Sequence, residues 1–139
     1  MRLTIHIDAP VHTVYEFMKD PARWQDLMET GVTVDEVRTS DETAYLGWHY
    51  RLLGLPMSGF DLLTDMVPDR HITDRSSSAL VGNWDWDFEP EGAGTKLTME
   101  HHPRSIFRVP PVRNVIEFNA ERMSQGFLPR VKERLEKAA

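Results

Sequence analysis

The stretch NWDWDFEPEGAGTKLTMEHH, residues 83–102, alternates apolar and polar side chains with little interruption. Trp84, Trp86 and Phe88 share one parity, and Asn83, Asp85, Asp87 and Glu89 share the other. After the turn signal Glu91-Gly92-Ala93-Gly94, Leu97, Met99 and His101 fall on one parity against Lys96, Thr98, Glu100 and His102. Successive strand side chains point to opposite faces, so the stretch predicts a β-hairpin with one apolar face and one wet face. Three large rings on one face either fill a solid core or wall a pocket.

Upstream, the same reading gives strands at about 32–38, 43–53, 57–66, 70–77 and 80–89. They are separated by Ser40-Asp41-Glu42, Gly54-Leu55-Pro56, Pro68-Asp69 and the Ser76-Ser77-Ser78 run. With the strand ending near His102, this makes six in succession, an antiparallel meander. At the N-terminus, Leu3, Ile5 and Ile7 alternate with Arg2, Thr4 and His6 and predict a first strand ending at Asp8-Ala9-Pro10. Asp8 is expected to cap the next helix, with Pro10 in its first turn. Val11, Val14, Tyr15 and Met18 then recur at helical spacing, Asp20-Pro21 breaks the run, and a second short helix is expected at about 22–28, with Trp24, Leu27 and Met28 apolar.

The chain ends in a stripe of Val112, Val115, Ile116, Asn119, Met123, Phe127, Val131 and Leu135, which predicts one long helix from near Pro111 to Lys137. Pro129 lies inside it and predicts a bend, because it removes a backbone hydrogen bond. A seven-stranded sheet with one apolar face and a helix with a matching stripe hide both by packing together, so the sheet is expected to curl around the helix. The fold class is α+β, in a single domain spanning 1–139.

Composition narrows the function. The 16 basic and 22 acidic residues give a net charge of −6, with no concentrated basic footprint for nucleic acid or anionic membrane. Cysteine is absent, which excludes disulfides, thiol catalysis and thiolate metal sites. No apolar run approaches about 18 residues and no secretory signal is evident, so neither membrane integration nor export is expected and the cytoplasm is the default. The oligomeric state stays open, a homodimer included.

The order of elements resembles the SRPBCC superfamily, the START-like "helix-grip" fold. The residues carrying the resemblance are Ile5-His6-Ile7-Asp8-Ala9-Pro10, Val14-Tyr15-Glu16-Phe17-Met18, Asp20-Pro21 with Trp24, Trp84-Asp85-Trp86-Asp87-Phe88-Glu89-Pro90, and Gly94-Thr95-Lys96-Leu97-Thr98. The match spans nearly the whole chain and is most similar to the polyketide cyclase/dehydrase-like group of small bacterial proteins. The resemblance implies a deep cavity between sheet and helix that holds a hydrophobic or amphipathic molecule. Members bind lipids, polyketides, sterols, quinones or hormones, and a minority catalyse cyclisation, dehydration or hydrolysis.

Expected wall residues are Trp48, Tyr50, Phe60, Leu62, Trp84, Trp86, Phe88, Leu97 and Met99 from the sheet, with Ile116, Asn119 and Met123 from the helix. His101 and Tyr50 are the candidate acid/base groups, His101 for its pKa near roughly 6.5 and Tyr50 for its hydroxyl. Asn119 occupies a stripe position where its buried amide would need a partner. Leu55, Ile106 and Phe107 are candidate lid residues over the cavity mouth. His101-His102 makes no metal pair, since strand neighbours face opposite ways. His49 and His71 fall on polar parities, Asp85, Asp87 and Glu100 on the wet face, and neither a nucleophile elbow nor a phosphate loop is present. No cofactor or metal is expected. Three readings stay open: a small-molecule binder, a cyclase/dehydrase using His101 and Tyr50, and a toxin- or quinone-chaperone-like interaction protein.

Overall fold

The structure, a computed structural model, describes residues 1–28, 31–52, 54–77, 80–105 and 108–137, without the side chains of 52, 80, 81, 103–105, 119, 120, 123 and 124. β1 (Arg2–Ile7) is followed by α1 (Val11–Met18) and two 3-10 turns, Pro21–Arg23 and Gln25–Leu27. Then come β2 (Thr33–Thr39), β3 (Ala44–Leu52), β4 (Leu55–Val67), β5 (His71–Ser77), β6 (Leu80–Glu91), β7 (Gly94–Ser105) and α2 (Pro110–Lys137). The curved sheet is antiparallel and runs β1-β7-β6-β5-β4-β3-β2, a six-strand meander closed by β1 on its far edge. This is the α+β helix-grip architecture the sequence predicts.

The opening hairpin is β6–β7. Its register sets Trp84 opposite His101, Trp86 opposite Met99 and Phe88 opposite Leu97, so the rings and their partners share one face. That face is buried at Trp86, Phe88, Leu97, Met99 and His101. Each such apolar side chain contributes roughly 1.5 to 3 kcal/mol through burial. The C-terminal half of α2 covers it with Leu128, Val131 and Leu135, all buried. The N-terminal half departs from the predicted stripe. Ile116 is buried, but Val112 and Val115 are exposed, as is Phe118 off the stripe. The helix runs unbroken through Pro129.

Two local expectations are corrected. Asp8 does not cap α1, whose N-cap is Pro10 with no side-chain cap bond. The helix begins at Val11, which leaves Asp8 too early in the chain to reach the first free N–H groups. Its carboxylate instead accepts from His6 Nε2 at 2.8 Å. The helix expected at 22–28 is the pair of 3-10 turns, entered through Asp20, whose side chain accepts from the Ala22 N–H at 3.3 Å. So few residues cannot offset the nucleation cost of an α-helix, and the tighter turns suffice.

A third correction concerns β4. Phe60 and Leu62, both on even positions, are expected to face inward. Leu63 is the fully buried residue of that strand, and Phe60 is 40% exposed, stacked on Tyr45 across the outer face at 5.8 Å. A bulge between Thr64 and Val67, with Asp65 at φ 50°, shifts the register against β5. Such an extra residue switches the facing parity. Met66 therefore packs against the core although Phe60 and Leu62 do not.

Gly94, where β7 begins, shows how closely β1 approaches. A Cβ there would come within 2.5 Å of the Ile7 carbonyl oxygen and 2.8 Å of the His6 ring. Gly94→Ala is expected to cost roughly 1 kcal/mol or more by forcing the strands apart, read as a lower urea midpoint. An unchanged midpoint would mean that the edge gives way freely. Among the described residues no helix is long and apolar enough to cross a membrane.

Candidate functional site

A cavity of about 110 Å³, partly open to solvent, lies between the concave face, the 3-10 turns and the C-terminal half of α2. The sheet supplies Asp61, Asp74, Trp84, Trp86 and Met99; the turns supply Trp24, Leu27 and Met28; α2 supplies Phe127 and Arg130. Phe127 meets the rings of Trp24 and Trp86 edge-on, at centroid distances of 5.5 and 5.7 Å. Edge-to-face contacts of this kind hold ring planes in place. The helix thus fixes two of the tryptophans that wall the cavity.

The strand registers bring the carboxyls together. Asp61 pairs with Leu46 on one side and Ser76 on the other, and Asp74 with Leu63 and Trp84. On the shared face Asp61 and Asp74 are therefore diagonal neighbours, within reach of one another. They hydrogen-bond carboxyl to carboxyl, Ser76 also bonds to Asp61, and Trp48 Nε1 donates to Asp61 Oδ1 at 3.3 Å. Burial, offset by these bonds, pushes Asp61 up to about 6. Asp74, 3% exposed, is driven well above the carboxylate range, first by burial and then by the neighbouring Asp61 charge. Two carboxyls this close resist ionising together. Arg130, on the opposite wall, has its Nη1 donating to the Leu27 carbonyl at 3.2 Å.

Three of the lining residues carry a buried polar atom that lacks a partner among the described residues: Trp24 Nε1, Trp86 Nε1 and Asp74 Oδ1. Leaving such a group buried and unbonded costs about 1 to 3 kcal/mol, so each is a standing demand for a bonding partner.

Of the expected wall residues, Trp84, Trp86 and Met99 line the cavity. Trp48 reaches it through its bond to Asp61, and Tyr50 packs against Trp48 at 5.3 Å. Phe88 and Leu97 fill the core, Phe88 edge-on to Tyr15 at 5.5 Å. Ile116 is buried on α2, while Phe60 and Leu62 lie on the outer face. His101 is fully buried with its ring stacked on Trp84 at 4.0 Å, and it is not part of the cavity lining. Burial first, then the N-terminal ammonium group, pushes it down to about 3, so it stays neutral. Its strand neighbour His102 faces out, 3.4 Å from Glu100. Leu55 is exposed. The side chains of Asn119 and Met123, and residues Ile106 and Phe107, fall outside the described residues.

The sequence reading missed Asp61, Asp74, Phe127 and Arg130 as site residues, and took Trp24, Leu27 and Met28 for a helix face only. The signal for Asp74 was present. It shares parity with Ile72 and Ser76, so an inward Ile72 implies an inward Asp74. A wider depression of about 600 Å³ carries Arg2, Arg70 and Lys96 among Asp69, Asp87 and Glu89. Its mixed charges are those of a solvated surface, and none of the buried unpaired atoms found among the described residues lines it.

Fold and cavity together define a helix-grip protein with a partly open cavity of about 110 Å³ under its last helix. The chain belongs to the family described as polyketide cyclase/dehydrase and lipid transport, whose sequence profile matches residues 1–136. No curated protein matches it in sequence. Among solved structures it is similar to TTHA0849 from Thermus thermophilus, at 17% identity and a TM-score of 0.83, covering 100% of this chain and 98% of that one. It is also similar to the Zhui aromatase/cyclase from Streptomyces sp. R1128, at 18% identity and a TM-score of 0.76, covering 99% and 93%. The di-domain ARO/CYC StfQ of the steffimycin biosynthetic pathway matches at 14% identity and a TM-score of 0.73, with 99% of this chain and 50% of that one covered. At these identities the likeness is one of fold.

Proposed function

We propose that this protein binds a hydrophobic, ring-bearing small molecule of the polyketide-like kind in the cavity beneath α2. The observation that carries the reading is the cavity's composition: three tryptophans, a phenylalanine and two methionines around a buried carboxyl pair. Ligand sites are typically apolar hollows with a few placed polar groups, and this one has that character. At about 110 Å³ it accommodates a single six-membered ring, the rest of a longer ligand extending through the open side. The family membership and the aromatase/cyclase among the structural neighbours support the same class of ligand.

The test is intrinsic tryptophan fluorescence during titration with fatty acids, sterols and aromatic polyketides. Saturable quenching or enhancement by the ring compounds is expected, weakened in Trp84→Ala. A flat response to the whole panel would remove the reading.

A second reading, a cyclase/dehydrase, is favoured by one observation. The buried Asp61–Asp74 pair places a proton donor and a proton acceptor side by side in the cavity, the requirement for acid/base work on a bound ring. Under this reading the acid/base role falls to the carboxyls more naturally than to His101, which lies beneath Trp84 outside the lining. Turnover of a polyketide-like substrate, lost in Asp61→Asn, would distinguish an enzyme from a carrier.

A further inference from the structure

We propose that the polar part of the cavity is a hydroxyl-recognising subsite, in which a ring-borne hydroxyl of the ligand accepts from the indole N–H groups of Trp24 and Trp86 and donates to Asp74 Oδ1. This deepens the ligand-binding reading and rests on it.

The argument is one of matching donors to acceptors. Trp24, Trp86 and Asp74 are 2%, 3% and 3% exposed, line the same cavity, and each presents one buried atom without a partner among the described residues. Two of those atoms are obligate donors and one is a carboxyl oxygen. A ketone oxygen would satisfy the indoles and leave Asp74 Oδ1 unbonded. An ammonium group would satisfy Asp74 and leave both indoles unbonded. A hydroxyl carries two lone pairs and one O–H, so it answers all three at once. Water has the same bonding capacity, and a ligand hydroxyl that takes its place loses none of those bonds.

The surroundings select the carrier of that hydroxyl. The rings of Trp84, Trp86 and Phe127 offer flat apolar walls, and the volume suits one six-membered ring. Charge selects it further. The bond between Asp61 and Asp74 requires a shared proton, which leaves Asp74 Oδ1 free to accept and the pair short of its full double charge. A neutral phenol or enol is favoured there, and a carboxylate at the same place would face the residual negative charge. The guanidinium of Arg130 lies on the α2 side, engaged with the Leu27 carbonyl.

Phenol, anisole and benzene share a ring and differ in the group under test, so affinities measured by NMR titration of ¹⁵N-labelled protein separate the possibilities. Phenol is expected to bind about tenfold more tightly than either analogue, the gain of a hydrogen-bonded group placed among unbonded partners. The indole N–H resonances of Trp24 and Trp86, assigned from Trp24→Phe and Trp86→Phe, are expected to move downfield with phenol and not with benzene. In Asp74→Leu and Trp86→Phe the ratio of phenol to benzene affinity is expected to fall toward one. Should Asp74→Leu fail to fold, as judged by its amide spectrum, Trp86→Phe alone decides. Equal binding of phenol and benzene by the native protein overturns the subsite and leaves an apolar ring cavity standing. Binding of none of the three overturns the subsite in any case, and if the larger panel is also flat the ligand-binding reading falls with it.

Discussion

Replacing His101 by phenylalanine is expected to abolish an acid-induced loss of stability of about 1.4 kcal/mol for each pH unit below about 6.5. His101 is fully buried against Trp84, and burial followed by the nearby N-terminal ammonium group pushes its pKa from 6.5 down to about 3. That ammonium group is fixed in place, donating to the His101 carbonyl at 2.8 Å while the His101 N–H donates to the Met1 carbonyl at 2.7 Å. In the unfolded chain the imidazole takes up its proton near 6.5; in the native protein it does so only near 3. The native state thus binds fewer protons across that window. Its stability contribution is complete above about 6.5 and is lost as the pH falls toward 3. Urea unfolding at pH 7, 6, 5 and 4.5 is the measurement. The phenylalanine ring retains the stacking on Trp84, so the slope against pH, rather than the absolute stability, is the quantity to compare. Equal slopes for the two proteins would show that another group governs the acid limb.

The second large effect has the opposite sign. Asp74→Asn is expected to raise stability at pH 8 by about 1 to 3 kcal/mol, with the gain shrinking toward pH 4. Burial holds the native pKa of Asp61 up at about 6 against the hydrogen bonds that lower it, while burial and then the Asp61 charge raise that of Asp74 well above its ordinary value. Well below about 4 both carboxyls are protonated in either state. As the pH rises through about 4 the unfolded chain releases protons that the native pair retains, so stability falls until the native pair itself ionises. Asparagine keeps the size of the side chain and can donate to Asp61 without a charge of its own. Between about pH 4 and 6.5 the aspartate pair and His101 oppose each other, so each substitution should unmask the other's slope. If Asp74→Asn destabilises the protein equally at pH 5 and pH 8, the pair is not under electrostatic strain. If it stabilises, the native sequence tolerates an unfavourable pair in its only deeply buried acidic cluster among the described residues. Perturbed groups retained at a cost to stability characterise functional sites.

The fold was largely legible because its signals are local. Alternation along residues 83–102 gave the hairpin and its facing rings, and turn residues marked the ends of the other strands. One wall of the cavity was legible by the same logic, since Trp84, Trp86 and Met99 follow from the parity of one hairpin. The rest depends on relations that parity does not carry. In β4 both parities hold apolar residues, Phe60 and Leu62 against Met57 and Leu63, and the bulge after Thr64 brings Met66 to the inner face. Choosing the wrong parity hid Asp61, and a lone aspartate in a polar strand such as β5 reads as solvated until its neighbours across the sheet are known. On α2 the periodic stripe is real, but which portion is covered depends on where the sheet curls. Ile116, Leu128, Val131 and Leu135 are buried, and Val112 and Val115 are not.

The place of β1 in the sheet bears on how the chain closes. Arg2 aligns with Glu100 and Ile7 with Thr95, so the strand made first waits for a partner roughly ninety residues downstream. The hairpins of β2 to β7 need only short loops, whereas docking β1 costs the closure entropy of the largest ring in the molecule. Assembly of the meander can proceed turn by turn, and the N-terminal strand locks an edge that neighbouring segments have already built.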